Sequence, residues 1–185
     1  MTSLQLLSCF HHDNINEFSK IPKDLIDFRE PLDVAVDFLD PILKNGASVV
    51  AVCVFEGAEQ CLSWIFGNVE TTNLLDNRQR NLYHFAAASK NQNIYQMIEN
   101  FVPVDTNFKE TDFYGNLPIH YAAYYGNLQI LQYLWMNGAD LNAKNEDGAT
   151  PLHFAVKNQQ LNIINFLLNN SVPIDTFSND GVSFL

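Results

Sequence analysis

Hydrophobic positions recur in the second half of the chain with the spacing of amphipathic helices, and the same pattern appears twice. The repeated positions are Leu128, Ile130, Leu131 and Leu134, then Leu161, Ile163, Ile164 and Leu167. Because residues three and four apart share one face of a helix, each set predicts a helix with one buried face. Gly115, Gly148 and Gly181 lie 33 residues apart, as do His120 and His153. Self-similarity at a fixed period predicts helical units that stack side by side and share one core.

Each unit begins with residues that favour the start of a shorter helix. Thr150 is a candidate N-cap whose hydroxyl can accept from a backbone N–H, and Pro151 suits the first helical position. Leu117 occupies the position of Thr150 in the earlier unit, which predicts a weaker helix start. Gly126 predicts a helix end with positive φ. Gln159 stands at the equivalent position, which predicts a different turn there.

The sequence Thr150-Pro151-Leu152-His153, followed by a helix that contains alanine, resembles the signature of ankyrin repeats, and Leu117-Pro118-Ile119-His120 is a close variant. The resemblance covers residues 45–185 and implies an all-α solenoid of helix–turn–helix repeats joined by β-hairpin-like loops. It divides the chain into a helical N-terminal cap at 1–44, a degenerate repeat at 45–76, repeats at 77–111, 112–144 and 145–177, and the truncated start of another at 178–185. The divergent first repeat is similar to the leading repeats of protist ankyrin families.

The two earlier repeats depart from the signature. The pattern predicts helices at Val49–Phe55 and Ala58–Phe66, without a proper hairpin before them. In the next repeat Asn81 can still cap the first helix. His84 precedes His120 by 36 residues, so three residues are inserted, and we place them near 106–111. Loops absorb such insertions at small cost.

The first 44 residues show helical spacing in three stretches. Leu4, Leu7 and Phe10 predict one short helix, and residues 17–28 predict further short helices because Pro22 interrupts them. Residues 31–44 predict a helix that Pro41 kinks and Gly46 closes. Since the terminal repeat of a solenoid must be covered, these helices are interpreted as an N-terminal cap. No comparable cap follows residue 177, so we expect either a fragment of a longer chain, which we favour, or a last repeat exposed on one side.

The charge of the chain excludes one class of partner. The net charge is −11, with acidic residues spread along the sequence. Nucleic-acid binding needs a basic surface, so it is excluded, and an anionic membrane surface is disfavoured for the same reason. A protein with a basic patch would associate faster, although the charge also serves solubility alone. Ser48–Phe55 is apolar but too short for membrane insertion.

The cysteines and histidines predict no chemistry. Cys9, Cys53 and Cys61 are an odd number without metal-ligand spacing, which favours a reducing compartment. We predict a cytoplasmic location and leave the nucleus open. Equivalent histidines of stacked repeats lie about 8–10 Å apart, whereas zinc holds its ligands at about 2 Å. We therefore expect His84, His120 and His153 to bond to their local turns, with no metal, no cofactor and no catalytic site.

The resemblance also indicates where a partner would bind. In ankyrin folds the hairpin tips and the exposed side of the inner helices line a concave groove. The residues carried over as partner-binding are Arg78, Arg80, Phe113, Tyr114, Asn116, Tyr124, Tyr125, Glu146, Asp147, Lys157 and Asn158. Four of these are aromatic and are expected to form one cluster that anchors the partner, since aromatic residues dominate binding hot spots. The alternative is that some of them pack against the neighbouring hairpin.

These observations predict a non-catalytic protein-interaction module, an adaptor or scaffold, that is itself a monomer. Two alternatives stay open. The chain could be a structural spacer, or it could be the targeting arm of a longer, possibly enzymatic, protein. The sequence identifies neither the partner nor the biological process.

Overall fold

The structure is a computed structural model that describes residues 3–21, 28, 40–44, 46–69, 75–89, 91–101 and 108–174. Helices, with the turns and loops between them, make up most of these ranges. In chain order the helices are α1 Ser3–His11, α2 Ile15–Phe18, α3 Val49–Glu56, α4 Glu59–Asn68, α5 Leu82–Ala87, α6 Asn93–Phe101, α7 Pro118–Tyr125, α8 Leu128–Met136, α9 Pro151–Lys157 and α10 Leu161–Asn169.

The helices from α3 onward form four consecutive pairs. Within each pair the first helix contacts the second, and the first helices α3, α5, α7 and α9 contact one another in chain order. We call these four the inner row and their partners α4, α6, α8 and α10 the outer row. This arrangement confirms the predicted all-α solenoid. The helices predicted at Val49–Phe55 and Ala58–Phe66 are α3 and α4, with ends that differ by at most two residues.

The core runs between the two rows through all four pairs. The inner helices approach each other closely at small residues, and Ala122 and Ala155 are completely buried. The apolar stripe of the outer row faces them through Leu134 and Leu167, which are also completely buried. Because burial of apolar surface drives folding, the shared core stabilises the stack as a whole.

The turn between the two helices of a pair keeps one geometry despite a change of residue. Gly57 and Gly126 both have φ 78°. Gln159 stands at the position of Gly126 and has φ 56°, which is also left-handed. The prediction that this turn differs is therefore wrong, because the packing of α9 against α10 imposes the same backbone path on a residue that favours it less.

The pair α3–α4 has a feature that the sequence did not predict. Gly46, Gly115 and Gly148 have φ values of 77°, 74° and 75°. Gly46 precedes α3 just as Gly115 precedes α7 and Gly148 precedes α9, so it belongs to a turn of the same kind. Residues 41–44 form a turn rather than the end of a helix. The expectation that α3 lacks such an entry is corrected accordingly.

The N-terminal helices cover the first pair. Helix α1, predicted from Leu4, Leu7 and Phe10, contacts α3, and α2 contacts α4. The carboxylate of Asp13 accepts hydrogen bonds from the backbone N–H groups of Gln60 and Cys61, each at 3.0 Å. An anionic group at this end of α4 satisfies N–H groups that the helix leaves unpaired.

Several predictions lie outside the described residues. These are the short helices at 22–27, the first part of the helix at 31–39, the first two residues of the insertion placed near 106–111, and the truncated repeat at 178–185. The boundaries assigned to the repeats stay a prediction.

Candidate functional site

The turns that precede the inner helices share one hydrogen-bond scheme. Asp76 Oδ1 accepts from the N–H groups of Arg78 and Arg80, both at 2.9 Å. Asp112 Oδ1 accepts from Tyr114 N–H at 2.9 Å and from Asn116 N–H at 2.8 Å. A carboxylate that binds the backbone two and four residues ahead closes a tight turn. The scheme fixes the residues at the tip of each turn.

Neighbouring tips are joined through their main chains. The N–H of Phe113 donates to the carbonyl oxygen of Arg78 at 2.8 Å. The N–H of Glu146 donates to the carbonyl oxygen of Tyr114 at 3.0 Å. The tips of three successive units therefore form one continuous surface, which we call the tip row. Its members are Arg78, Phe113, Tyr114, Glu146 and Asp147.

The centre of the tip row is aromatic and open to solvent. Phe113 is 59% exposed and Tyr114 is 41% exposed. Their rings meet edge to face, with centroids 5.3 Å apart. The guanidinium carbon of Arg78 lies 5.3 Å from the centre of the Tyr114 ring. A cation–π contact from the preceding unit therefore helps to hold this ring in place. Glu146 and Asp147 are exposed on the next tip.

Two predicted partner-binding residues are buried instead. Arg80 is 1% exposed and pairs with the Asp76 carboxylate, while its guanidinium carbon lies 5.0 Å above the Phe85 ring. Asn116 is 7% exposed and its Oδ1 accepts from Asn145 Nδ2 at 2.9 Å. The expectation that these two side chains face the groove is wrong, because each satisfies buried polar groups at the base of a tip.

The predicted aromatic cluster is two separate pairs in the described part of the chain. Tyr124 and Tyr125 are half-buried, and their ring centroids lie 5.1 Å apart. Tyr124 contacts Phe154, and Tyr125 contacts Phe55 at a centroid distance of 5.8 Å. Neither ring contacts Phe113 of the tip row. Tyr124 and Tyr125 instead follow the alternative, in which aromatic residues pack against neighbouring units.

We use the word groove for the exposed side of the inner row, where Tyr124 and Tyr125 lie. Lys157 is exposed there. Asn158 is half-buried, and its Nδ2 donates to the carbonyl oxygen of Tyr124 at 2.9 Å. Asn158 therefore connects α9 to α7, whereas Lys157 is available at the surface.

Sequence reasoning missed one groove residue, Asp40. Its Oδ1 accepts a hydrogen bond from the Tyr125 hydroxyl at 2.5 Å, across 85 positions of sequence. Burial, followed by this hydrogen bond to a carboxylate, raises the pKa of Tyr125, so its proton stays on the hydroxyl. No local pattern around Asp40 signals the contact.

The repeated histidines bond to their local turns, as predicted. His120 Nδ1 accepts from the N–H of Leu117, and His153 Nδ1 accepts from that of Thr150, both at 3.0 Å. Burial lowers the pKa of His120 to about 4, so its ring is neutral near pH 7. Thr150 is the N-cap residue of α9, as predicted, with an extended backbone, and its hydroxyl lies 3.0 Å from His153 Nδ1. The histidine adds to this cap by accepting from the backbone N–H of the cap residue.

The cysteines offer no reactive thiol. Cys9, Cys53 and Cys61 are free and buried. Burial raises the pKa of all three thiols, that of Cys61 to about 12, so the thiolate form is scarce at neutral pH. Within the described ranges, no group of three or more His, Cys, Asp or Glu residues is placed to hold a metal ion. No helix in this same part of the chain has the length and apolar character needed to cross a bilayer.

Comparison with known proteins agrees with the repeat geometry. Residues 49–145 and residues 84–180 each match the family described as ankyrin repeats (3 copies). Together the two matches span most of the chain. A search of curated proteins finds no match.

Proposed function

The chain belongs to the ankyrin-repeat family, and from this premise we propose that it is a non-catalytic adaptor or scaffold that binds a protein partner. Ankyrin repeats are generally protein–protein interaction modules and are typically non-catalytic. The proposed binding surface is the tip row, continued into the groove by Tyr124, Tyr125 and Lys157.

The observation that carries the proposal is the exposure of Phe113 and Tyr114 at the centre of the tip row. Large exposed aromatic side chains dominate the energy of protein interfaces once a partner buries them. Water around the Phe113 ring is unfavourable, so a partner that covers it gains hydrophobic free energy. Nothing in the packing of the core requires this ring at the surface.

The backbone of the tip row is already fixed. Phe113 is held by its hydrogen bond to Arg78, and the Tyr114 turn is closed by Asp112. A surface that is ordered before binding loses little conformational entropy when the partner arrives. This arrangement suits recognition better than it suits a simple spacer, for which exposed aromatic tips would have no use.

Charge adds a preference among partners. The chain carries a net charge of −11, and Glu146 and Asp147 are exposed beside the aromatic pair. Opposite charge on a partner raises the association rate more than it raises the affinity. We therefore expect a partner with a basic rim around an apolar centre, and binding that weakens as salt is added.

Affinity capture with the full chain tests the proposal. The bait is compared with Phe113→Ala/Tyr114→Ala and with a matched control, Trp135→Ala/Met136→Ala, which removes exposed apolar side chains from the outer row. The expected result is a protein that binds the unmodified bait and the control, but binds the tip variant at least about tenfold more weakly. Equal binding to the tip variant would contradict the proposed surface. The absence of any saturable partner would favour the spacer alternative.

A further inference from the structure

A turn near the N-terminus lies against the groove at Tyr125. The turn consists of residues 40–43, and we call it the 40–43 turn. Asp40 accepts the hydroxyl hydrogen of Tyr125 at 2.5 Å. Tyr125 ends α7, two inner helices beyond α3, so this contact reaches over the groove rather than along the chain.

A second contact fixes the same turn independently. The carbonyl oxygen of Ile42 accepts from Nη2 of the buried Arg80 at 2.5 Å. The side chains of Ile42 and Leu43 are only 3% and 4% exposed. Two hydrogen bonds and two buried side chains therefore attach the turn to the face of the inner row.

Asp40 also holds the turn in shape. Its Oδ1 accepts from the N–H of Ile42 at 3.1 Å, and its carbonyl oxygen accepts from the N–H of Leu43 at 2.8 Å. The same carboxylate thus closes the turn and binds Tyr125. Because Asp40 remains half-buried and its neighbour Pro41 is exposed, water can reach this side of the contact.

We propose that the 40–43 turn is an internal occupant of the groove, an autoinhibitory contact that a partner must displace to reach Tyr125. This inference rests on the proposed function, because it describes how access to the proposed binding surface is regulated. A hydroxyl bonded to the chain's own carboxylate is not available to a ligand. The apparent affinity at Tyr125 is then reduced by the fraction of molecules in which the turn is closed.

The turn has the properties that such a competitor needs. Its hydrogen bond to Tyr125 involves a charged acceptor, so it is stronger than a neutral one. The hydrogen bond from Arg80 is accepted by the backbone carbonyl of Ile42, so it does not depend on any side chain of the turn. Loss of the Asp40 carboxylate should therefore free Tyr125 while the rest of the fold persists.

Chemical labelling tests the closed contact without any partner. N-Acetylimidazole acetylates accessible tyrosine hydroxyls, and mass spectrometry reads each site in the full chain and in Asp40→Ala. Removal of a charge-assisted hydrogen bond shifts a local equilibrium by roughly tenfold or more. We expect Tyr125 to react faster by that factor in Asp40→Ala, with the exposed Tyr114 unchanged as the internal reference. An unchanged rate at Tyr125 would overturn the proposal.

Hydrogen exchange gives a second and independent reading. Tyr125→Phe removes the donor, and Tyr124→Phe is the matched control because its hydroxyl makes no contact with the turn. The amides of Ile42 and Leu43 should exchange about tenfold faster in Tyr125→Phe and at the unmodified rate in Tyr124→Phe. Equal protection in both variants would contradict the contact. Labelling of the buried Tyr95 would show that Asp40→Ala has unfolded. In that case the hydrogen-exchange comparison of Tyr125→Phe with Tyr124→Phe tests the contact instead.

The two proposals fail separately. Partner capture at the tip row with no change at Tyr125 or in the 40–43 turn would leave the adaptor function and remove the autoinhibition. Faster labelling of Tyr125 without any captured partner would leave the closed contact and remove the adaptor function.

Discussion

Nε2 of His120 lies 3.0 Å from the carbonyl oxygen of Ala143, a residue of the turn that leads into the next repeat. Its other ring nitrogen accepts from the N–H of Leu117 at the start of its own helix. One neutral imidazole therefore closes a helix start and binds the segment that leads into the next repeat. Nε2 of His84 lies 3.0 Å from the carbonyl oxygen of Asn116, in the turn that opens the next repeat.

These histidines predict a loss of stability at mildly acidic pH. Burial lowers the pKa of His120 to about 4, below the usual 6.5 of an unfolded chain. The unfolded state thus binds the proton first, and stability present above pH 6.5 falls as the pH drops towards 4. Between pH 7 and pH 5 the loss should be on the order of 2 kcal/mol for one such histidine. Burial lowers the pKa of His84 as well, which adds in the same direction.

Denaturant unfolding at pH 7, 6 and 5 measures this effect. His120→Gln should have lower stability at pH 7 and a flatter dependence on pH. His12→Gln is the control, because its ring is exposed and outside the stack. A slope for His120→Gln equal to that of the unmodified chain would show that another group is responsible.

Gly115 should tolerate no side chain. Its φ is 74°, and an added Cβ would lie 2.8 Å from the backbone nitrogen of Glu146. Both the left-handed backbone and the clash oppose Gly115→Ala, which should lower the free energy of unfolding by roughly 1–3 kcal/mol. Thermal and denaturant unfolding provide the measurement.

Gly67 supplies the matched control for that substitution. It lies inside α4, and an added Cβ would meet no atom within 4 Å. Gly67→Ala should therefore raise stability by about 0.5–1 kcal/mol, because alanine favours the helix. The prediction fails if the two alanine variants change stability in the same direction and by similar amounts.

Among the residues that hold the tip row in place, Asp112 should be the one whose substitution lowers stability most. Besides the two backbone N–H groups, its carboxylate accepts from Asn116 Nδ2 at 3.0 Å and from the Tyr121 hydroxyl at 2.7 Å. Asp112→Ala leaves these buried donors unpaired, and each costs about 1–3 kcal/mol. We expect a loss of several kcal/mol, measured by denaturant unfolding. The exposed Asp147→Ala should change stability by less than about 0.5 kcal/mol, and an equally small effect at Asp112 would refute the role described here.

Local residue patterns predicted a large part of the fold. The period of 33 residues and the apolar stripes around Leu134 and Leu167 predicted paired helices with a shared core. Gly126 predicted its own left-handed turn, because few other residues adopt that backbone easily. The prediction for Gln159 was wrong because it considered only the residue's own backbone preference. Packing can impose a left-handed backbone on a residue that does not favour it.

The candidate site was less predictable than the fold. Phe113 and Tyr114 lie at an exposed tip because the position of a residue within a repeat decides which side of the stack it reaches. Arg80 occupies an equivalent tip turn, yet it is buried against Asp76 and Ile42. Its guanidinium is held by the Asp76 carboxylate of the same turn and by the distant carbonyl oxygen of Ile42, and no local pattern predicts the second contact.

The sequence by itself determined that this protein is a stack of helix pairs, because helix periodicity, turn residues and repeat length are local properties that act within a few tens of residues. Only the tertiary structure decided which predicted groove residues are available. Asp40 reaches Tyr125 across 85 residues, and such a contact forms only after the intervening repeats have folded and placed the two side chains within hydrogen-bonding distance.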